Sequence, residues 1–163
     1  MKRVGILTSS KPQGRAVEAI RQSAARYAIE VHFAFPAKPE EIEPAIFDLA
    51  KNKIDALIAL ASPFLNSQRA RVIRAAQLQR WPILSWTRLW VEQGALISYG
   101  VDSAQNFRRA AYFVDRILKG AKPGDLPIEQ PMHFELALNM KSAKALGLAI
   151  PPTILVRATH VIQ

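Results

Sequence analysis

The chain has 163 residues, 50% of them hydrophobic, no cysteine, and 22 Lys and Arg against 13 Asp and Glu, for a net charge of +9. That length and apolar content suit one sizeable core, so a single domain is expected. The absence of cysteine excludes a disulfide framework and thiolate metal centres, and no apolar run reaches the ~20 residues that cross a bilayer.

The first element is Arg3 to Thr8 (RVGILT), a short apolar run that reads as a buried parallel strand broken by Pro12 and Gly14. Val17, Ile20, Ala24 and Tyr27 recur at helical spacing, predicting a helix from Arg15 to Tyr27. A second strand is expected over Ile29–Phe35, then a helix carrying Ile42, Ala45, Ile46 and Leu49, with Glu40, Glu41 and Glu43 in its first turn. Those acids sit where the helix dipole favours negative charge, which explains them better than acid-base chemistry does. Asp55–Leu60 predicts a third buried strand, Leu65–Gln79 a helix, Trp81–Leu84 a short strand and Thr87–Gln93 a further helical turn. The fifth strand is placed at Gly94–Tyr99, and Asp102 caps a long helix running to Lys119, with Phe107, Ala110, Ala111, Val114 and Leu118 on its apolar face. Pro123, Pro127 and Pro131 hold the next stretch extended. Met132–Leu138 then reads as a strand, and Asn139 caps a short helix, Met140–Leu146, closed by Gly147.

Strands alternating with helices at this spacing give an α/β fold: a parallel sheet of about five strands with helices on both faces, in a flavodoxin-like order. Such sheets place ligands at the carboxyl ends of their strands. The candidate ligand-binding residues are therefore Ser9 and Ser10 after the first strand, Ser62, Pro63 and Phe64 after the third, Ser85 and Trp86 after the fourth, and Tyr99 and Asp102 after the fifth. Hydroxyls and free N–H groups suit a carboxylate, Asp102 an amine, and the aromatic rings the remainder of a small zwitterion.

Other chemistry has little support. His32, His133 and His160 stand on separate elements, so neither a metal site nor a cofactor is expected. No GxGxxG, GxxxxGK[ST] or GxSxG motif occurs, and Ser9 and Ser10 beside Lys11 read as a strand end rather than a nucleophile and its activator. The chain is read as a binding protein, not an enzyme. A pI near 10.3 raises anionic partners. Arg69, Arg71, Arg74 and Arg80, however, are distributed around one helix with no interleaved aromatics, a solvated basic surface rather than a nucleic-acid site.

Residues 114–152, VDRILKGAKPGDLPIEQPMHFELALNMKSAKALGLAIPP, carry the most specific signal. Ile117–Pro123, Asp125–Pro127, Glu129–Pro131, Phe134–Leu136, Asn139, Lys141 and Ala143–Pro152 match a pattern of the form ILKGAKP-DLP-EQP, FEL-IN, K-AKALGL-IPP. This segment resembles the C-terminal signature of substrate-binding proteins of bacterial ABC transporters, two-lobed receptors of the type I periplasmic-binding fold. Weaker patterns at Asp55–Phe64 and Gly94–Asp102 extend the likeness over nearly the whole chain, which corresponds to the second half of a usual member. The resemblance implies a solute-binding component of an ABC importer, an aromatic or branched amino acid as ligand, and a membrane permease that senses lobe closure. One departure is Ala61-Ser62-Pro63, where many relatives read Pro-Asp-Pro, so an acid that would meet a ligand amine is missing.

By the same resemblance, residues 2–93 and 132–138 build the second lobe, and 94–119 pack on a first lobe that this chain does not contain. The apolar face of 102–119 then needs another cover, and a homodimer through 94–119 is expected. The family works in the periplasm or at the cell surface; as written, with only Val4–Leu7 as an early apolar run, the chain is expected to stay in the cytoplasm. The alternative reading is a free-standing α/β regulatory or interaction domain with a basic surface.

Overall fold

The computed structural model describes residues 2–10 and 15–163; Lys11, Pro12 and Gly14 lie outside the described residues. Apolar runs become strands and amphipathic stretches become helices in the order β1 (Arg3–Leu7), α1 (Arg15–Ala25), β2 (Glu30–Ala34), α2 (Ile42–Lys51), β3 (Ala56–Ala59), α3 (Pro63–Ser67), α4 (Arg69–Leu78), β4 (Ile83–Ser85) and α5 (Arg88–Glu92). The second half continues with β5 (Ile97–Val101), α6 (Ser103–Leu118), β6 (Phe134–Asn139), α7 (Met140–Leu146), α8 (Pro152–Leu155) and β7 (His160–Ile162).

The strands form one sheet in the order β2-β1-β3-β4-β5-β6-β7. The first five are parallel, in the expected flavodoxin-like order. Two more extend the sheet: β6, the strand expected at Met132–Leu138, runs antiparallel to β5, and β7, which was not expected, pairs in parallel with β6. Nothing in the three-residue HVI run of β7 announces a strand, because its pairing partner rather than its own pattern defines it.

The main core lies on one face. Leu7, Leu57, Ala59 and Ile83 of the sheet pack against Ile42, Ile46 and Leu49 of α2, Leu65 of α3, Val72, Ile73 and Ala76 of α4 and the fully buried Trp90 of α5. The opposite face near the first strands carries α1, with a cleft of about 390 Å³ between Ile20 and Ala24 of that helix and Val4, Ile6 and Ile58 of the sheet.

Several boundaries differ from the expectation for identifiable reasons. The helix expected over 65–79 starts at Pro63, since Ser62 accepts the Leu65 N–H and proline suits the first turn. It breaks at Gln68, where Ser67 Oγ shares the Phe64 carbonyl with the Gln68 N–H and Arg69 Nη1 bonds the Asn66 carbonyl. Strand β5 begins later than 94 because Gly94, at φ 114°, still completes the turn after α5. Three other turns use left-handed residues that are not glycine, Ala28, Lys53 and Arg80, so no glycine marks those helix ends.

Strand β5 is paired on both sides within this sheet. Helix α6 is different: 16 residues long, it buries none, and Phe107 and Leu118 are 76% and 81% exposed. It is tied mainly to the connector that follows. Arg109 Nε donates to Glu129 Oε2 at 2.7 Å, its guanidinium lies over the Tyr112 ring at 4.1 Å, and a cleft of about 610 Å³ runs between helix and connector. At the base of this excursion Val101 pairs with Phe134, and the Asp102 N–H donates to the His133 carbonyl at 2.9 Å.

Asn139 locks the sheet to the last third of the chain. Its Oδ1 accepts the Ser142 N–H at 2.9 Å and caps α7, while its Nδ2 donates to the Val91 carbonyl at 2.9 Å behind α5. The side chain is buried and fully used.

Candidate functional site

Parallel strands β1, β3, β4 and β5 end at one edge of the sheet, and each loop there opens towards a helix. This arrangement gathers small polar side chains and helix starts in one place, as open α/β sheets do. Ser9 and Ser62 meet directly: Ser62 Oγ donates to Ser9 Oγ at 2.8 Å and accepts the Leu65 N–H at 3.3 Å, joining the loops after β1 and β3. Ser10 is exposed, and its carbonyl accepts a 3.4 Å hydrogen bond from Thr8 Oγ1. Pro63 is exposed in the first turn of α3, while Phe64 is half-buried against the main core.

The loop after β4 is held more tightly. Ser85 is buried, and Trp86 rests on the core with its ring centroid 5.3 Å from that of Trp90. Gly100 of β5 packs against the backbone of Trp86 so closely that a Cβ there would overlap the Trp86 carbonyl and stand 3.0 Å from its carbon. A side-chain-free residue is therefore required for the ends of β4 and β5 to meet. Tyr99, 54% exposed, stacks on Phe134 of β6 at 5.5 Å. Asp102 caps α6, with Oδ1 accepting from the Ala104 and Gln105 N–H groups at 2.9 and 3.1 Å.

The structure thus joins Ser9 to Ser62 and the Trp86 loop to β5, turns the Phe64 and Trp86 rings largely to the core, and places Tyr99 beside β6. Three more polar side chains belong to this edge: Asn66, Arg69 and Thr87. Their Oδ1, Nε and Oγ1 atoms are buried with no hydrogen-bond partner among the described residues. In the sequence Arg69 passes for one member of a basic surface cluster, and only its enclosed, unpartnered Nε sets it apart.

A family model for ABC transporter substrate binding protein matches residues 1–162. The chain belongs to the ABC transporter substrate-binding protein family. A tyrosine-binding protein of Clostridioides difficile, strain R20291, is 26% identical over 149 residues, which is 90% of this chain and 43% of that protein. Among solved structures, a conserved domain protein from Vibrio cholerae is 30% identical with a TM-score of 0.85, covering 98% of this chain and 54% of the other. A Streptococcus pneumoniae ABC domain in complex with L-Trp is 27% identical, also with a TM-score of 0.85, over 99% of this chain and 56% of the other. The chain therefore spans about half the length of these family relatives.

Proposed function

We propose that this chain is the solute-receiving lobe of an ABC importer receptor. It takes a small amino-acid-like molecule at the carboxyl ends of β1, β3, β4 and β5, without catalysing a reaction. Helix α6 carries the reading. An amphipathic helix of 16 residues with none buried is unfavourable in isolation, because each Å² of its apolar face left in water forgoes roughly 25 cal/mol. A helix built this way has the shape of a docking element. Relatives about twice as long supply a natural partner for it, a first lobe that closes over the ligand and presents the closed form to a membrane permease. The working location of such a receptor is outside the cytoplasmic membrane.

The ligand class is drawn from two relatives, one named for tyrosine and one bound to L-Trp. In the chain by itself, a second copy replaces the first lobe as the cover of α6, giving a homodimer.

Thermal unfolding with and without millimolar L-tyrosine or L-tryptophan tests the reading. A ligand at about ten times its Kd adds roughly 1.4 kcal/mol, which raises Tm by about 3–6 °C for a chain of this size. No rise with either amino acid or with a wider panel of small metabolites refutes the solute-binding reading. A light-scattering mass equal to a single 18.1 kDa chain at micromolar concentration refutes the dimer.

A further inference from the structure

Most polar side chains along the carboxyl edge have found partners within the fold. Ser62 caps α3 and binds Ser9, Ser85 Oγ reaches the Thr87 carbonyl at 3.5 Å, and Asp102 caps α6. Among the described residues five buried side-chain atoms lack a hydrogen-bond partner: His32 Nε2, Trp90 Nε1 and, on the loops of this edge, Asn66 Oδ1, Arg69 Nε and Thr87 Oγ1. The last three lie on consecutive loops after the neighbouring strands β3 and β4: Asn66 in α3, Arg69 at the first position of α4, and Thr87 immediately before α5.

Two of the three depart from what their positions ordinarily ask. A threonine before a helix normally gives its hydroxyl oxygen to an N–H of that helix. Thr87 makes no such bond, although Ser62 and Asp102 do at the equivalent places. An arginine on an amphipathic helix normally extends into water or pairs with an acid. Arg71 does so with Glu43 at 2.5 Å, whereas Arg69 is drawn in, donates only Nη1 to the Asn66 carbonyl at 2.8 Å, and has no acidic partner among the described residues. Arg69 is half-buried with its Nε fully enclosed, and taking part of a guanidinium out of water without a counter-charge is unfavourable, so an anion beside it gains more than at an ordinary surface arginine. The dipole of α4, whose first turn carries no acidic side chain, adds to this preference.

We propose that Arg69 anchors the carboxylate of the ligand, with the Thr87 hydroxyl as a second donor and the Asn66 amide facing the ligand nitrogen. The proposal rests on the strand ends being the ligand site and specifies what that site reads. The planar guanidinium fork matches a carboxylate through paired N–H donors. The acids, by contrast, offer an amine little: Asp102 Oδ1 is occupied by two backbone N–H groups, and position 62 holds a serine engaged with Ser9 and the Leu65 N–H. The lobe therefore selects small aromatic or aliphatic monocarboxylates and tolerates the amino group rather than requiring it.

The test is NMR on the intact chain, following the Arg69 Nε–Hε signal and the backbone amides of Ser62, Trp86 and Thr87. The probes are L-tryptophan, indole-3-propionate, which keeps the carboxylate and lacks the amine, and tryptamine, which keeps the amine and lacks the carboxylate. L-Tryptophan and indole-3-propionate are expected to move Arg69 Hε and the Thr87 amide saturably, and tryptamine to leave them in place. Arg69→Ala is expected to weaken indole-3-propionate about ten- to hundredfold, with Arg69→Lys in between. Shifts at Ser62 and Trp86 with Arg69 Hε unmoved, or tryptamine binding as tightly as tryptophan, overturn the proposal and leave the strand-end site standing. If no probe moves any of these signals, the site and its anchor fall together. The Arg69 Hε readout needs no variant, so it decides the matter even if Arg69→Ala folds poorly.

Discussion

Replacing Asn139 tests how the antiparallel part of the sheet is fastened to the rest. Its side chain makes two buried bonds of different kinds, a helix cap to the Ser142 N–H and a donor bond to the Val91 carbonyl. Losing a cap costs about 1 kcal/mol, and losing the bond to the Val91 carbonyl, which keeps the Gly94 N–H as a partner, costs about 0.5–1.5 kcal/mol. Asn139→Ala removes both and is expected to destabilise by about 1.5–2.5 kcal/mol. Asn139→Ser keeps a capping oxygen and loses only the reach to Val91, so it should retain about 1 kcal/mol of that loss. Asn139→Asp keeps the cap but sets a carboxylate against the Val91 carbonyl; at neutral pH it should be no better than alanine. Urea unfolding reads this directly: with slopes of about 2 kcal/mol/M, the alanine variant shifts the midpoint down by about 1 M. A loss under about 1 kcal/mol for Asn139→Ala, or serine as damaging as alanine, would refute the two-bond account.

Gly100→Ala drives a Cβ into the Trp86 carbonyl and should cost about 1–3 kcal/mol in urea unfolding. Gly124→Ala, with nothing within 4 Å of its added carbon, is the control and should change stability by under about 0.5 kcal/mol; equal effects would show that the close approach is unimportant. Arg109 holds the Glu129 carboxyl below its ordinary value of 4.5, chiefly through the side-chain hydrogen bond. A depressed acid stabilises above its unfolded pKa and loses that contribution as pH falls through the lower folded value, so the connector should loosen from α6 only below pH 4.5. Carboxyl NMR titration is expected to place the Glu129 midpoint under 4.5, and Arg109→Gln should return it there; a parent midpoint at or above 4.5 contradicts the pairing. Finally, Phe107→Asp on the open face of α6 should convert the light-scattering mass from two chains to one while circular dichroism stays unchanged. An unaltered dimer would place the contact elsewhere.

The parallel half of the fold was readable because its strands are short apolar runs, buried almost throughout in β1 and at alternate residues in β3 and β4, where local composition and final environment agree. Leu57 and Ile83 are legible in this way. The ends of elements were less so. The stop at Arg80 and the break at Gln68 arise from a left-handed non-glycine residue and from side chains competing for carbonyls, neither of which has a simple compositional mark. At the strand ends, sequence placed Ser9 and Ser62 on adjacent loops, and the structure adds the bond between them. It could not separate Arg69 from Arg71 and Arg74, because exposure and pairing distinguish those residues rather than type or spacing.

The pairing of Val101 with Phe134 and the hydrogen bond from Asp102 N–H to the His133 carbonyl mean that the chain leaves the sheet and returns to it at the same point. Everything between, α6 and its connector, is a detour with a shared root. Its length can change without rethreading a strand, since closing a longer loop adds only about 0.6 kcal/mol per doubling. Replacing residues 103–132 by a tight turn would convert β5 and β6 into an ordinary hairpin and leave the rest of the sheet its full set of partners. The lobe can thus be divided into a frame, the sheet with its packed helices, and an appendage, α6 with its connector, joined at a single root.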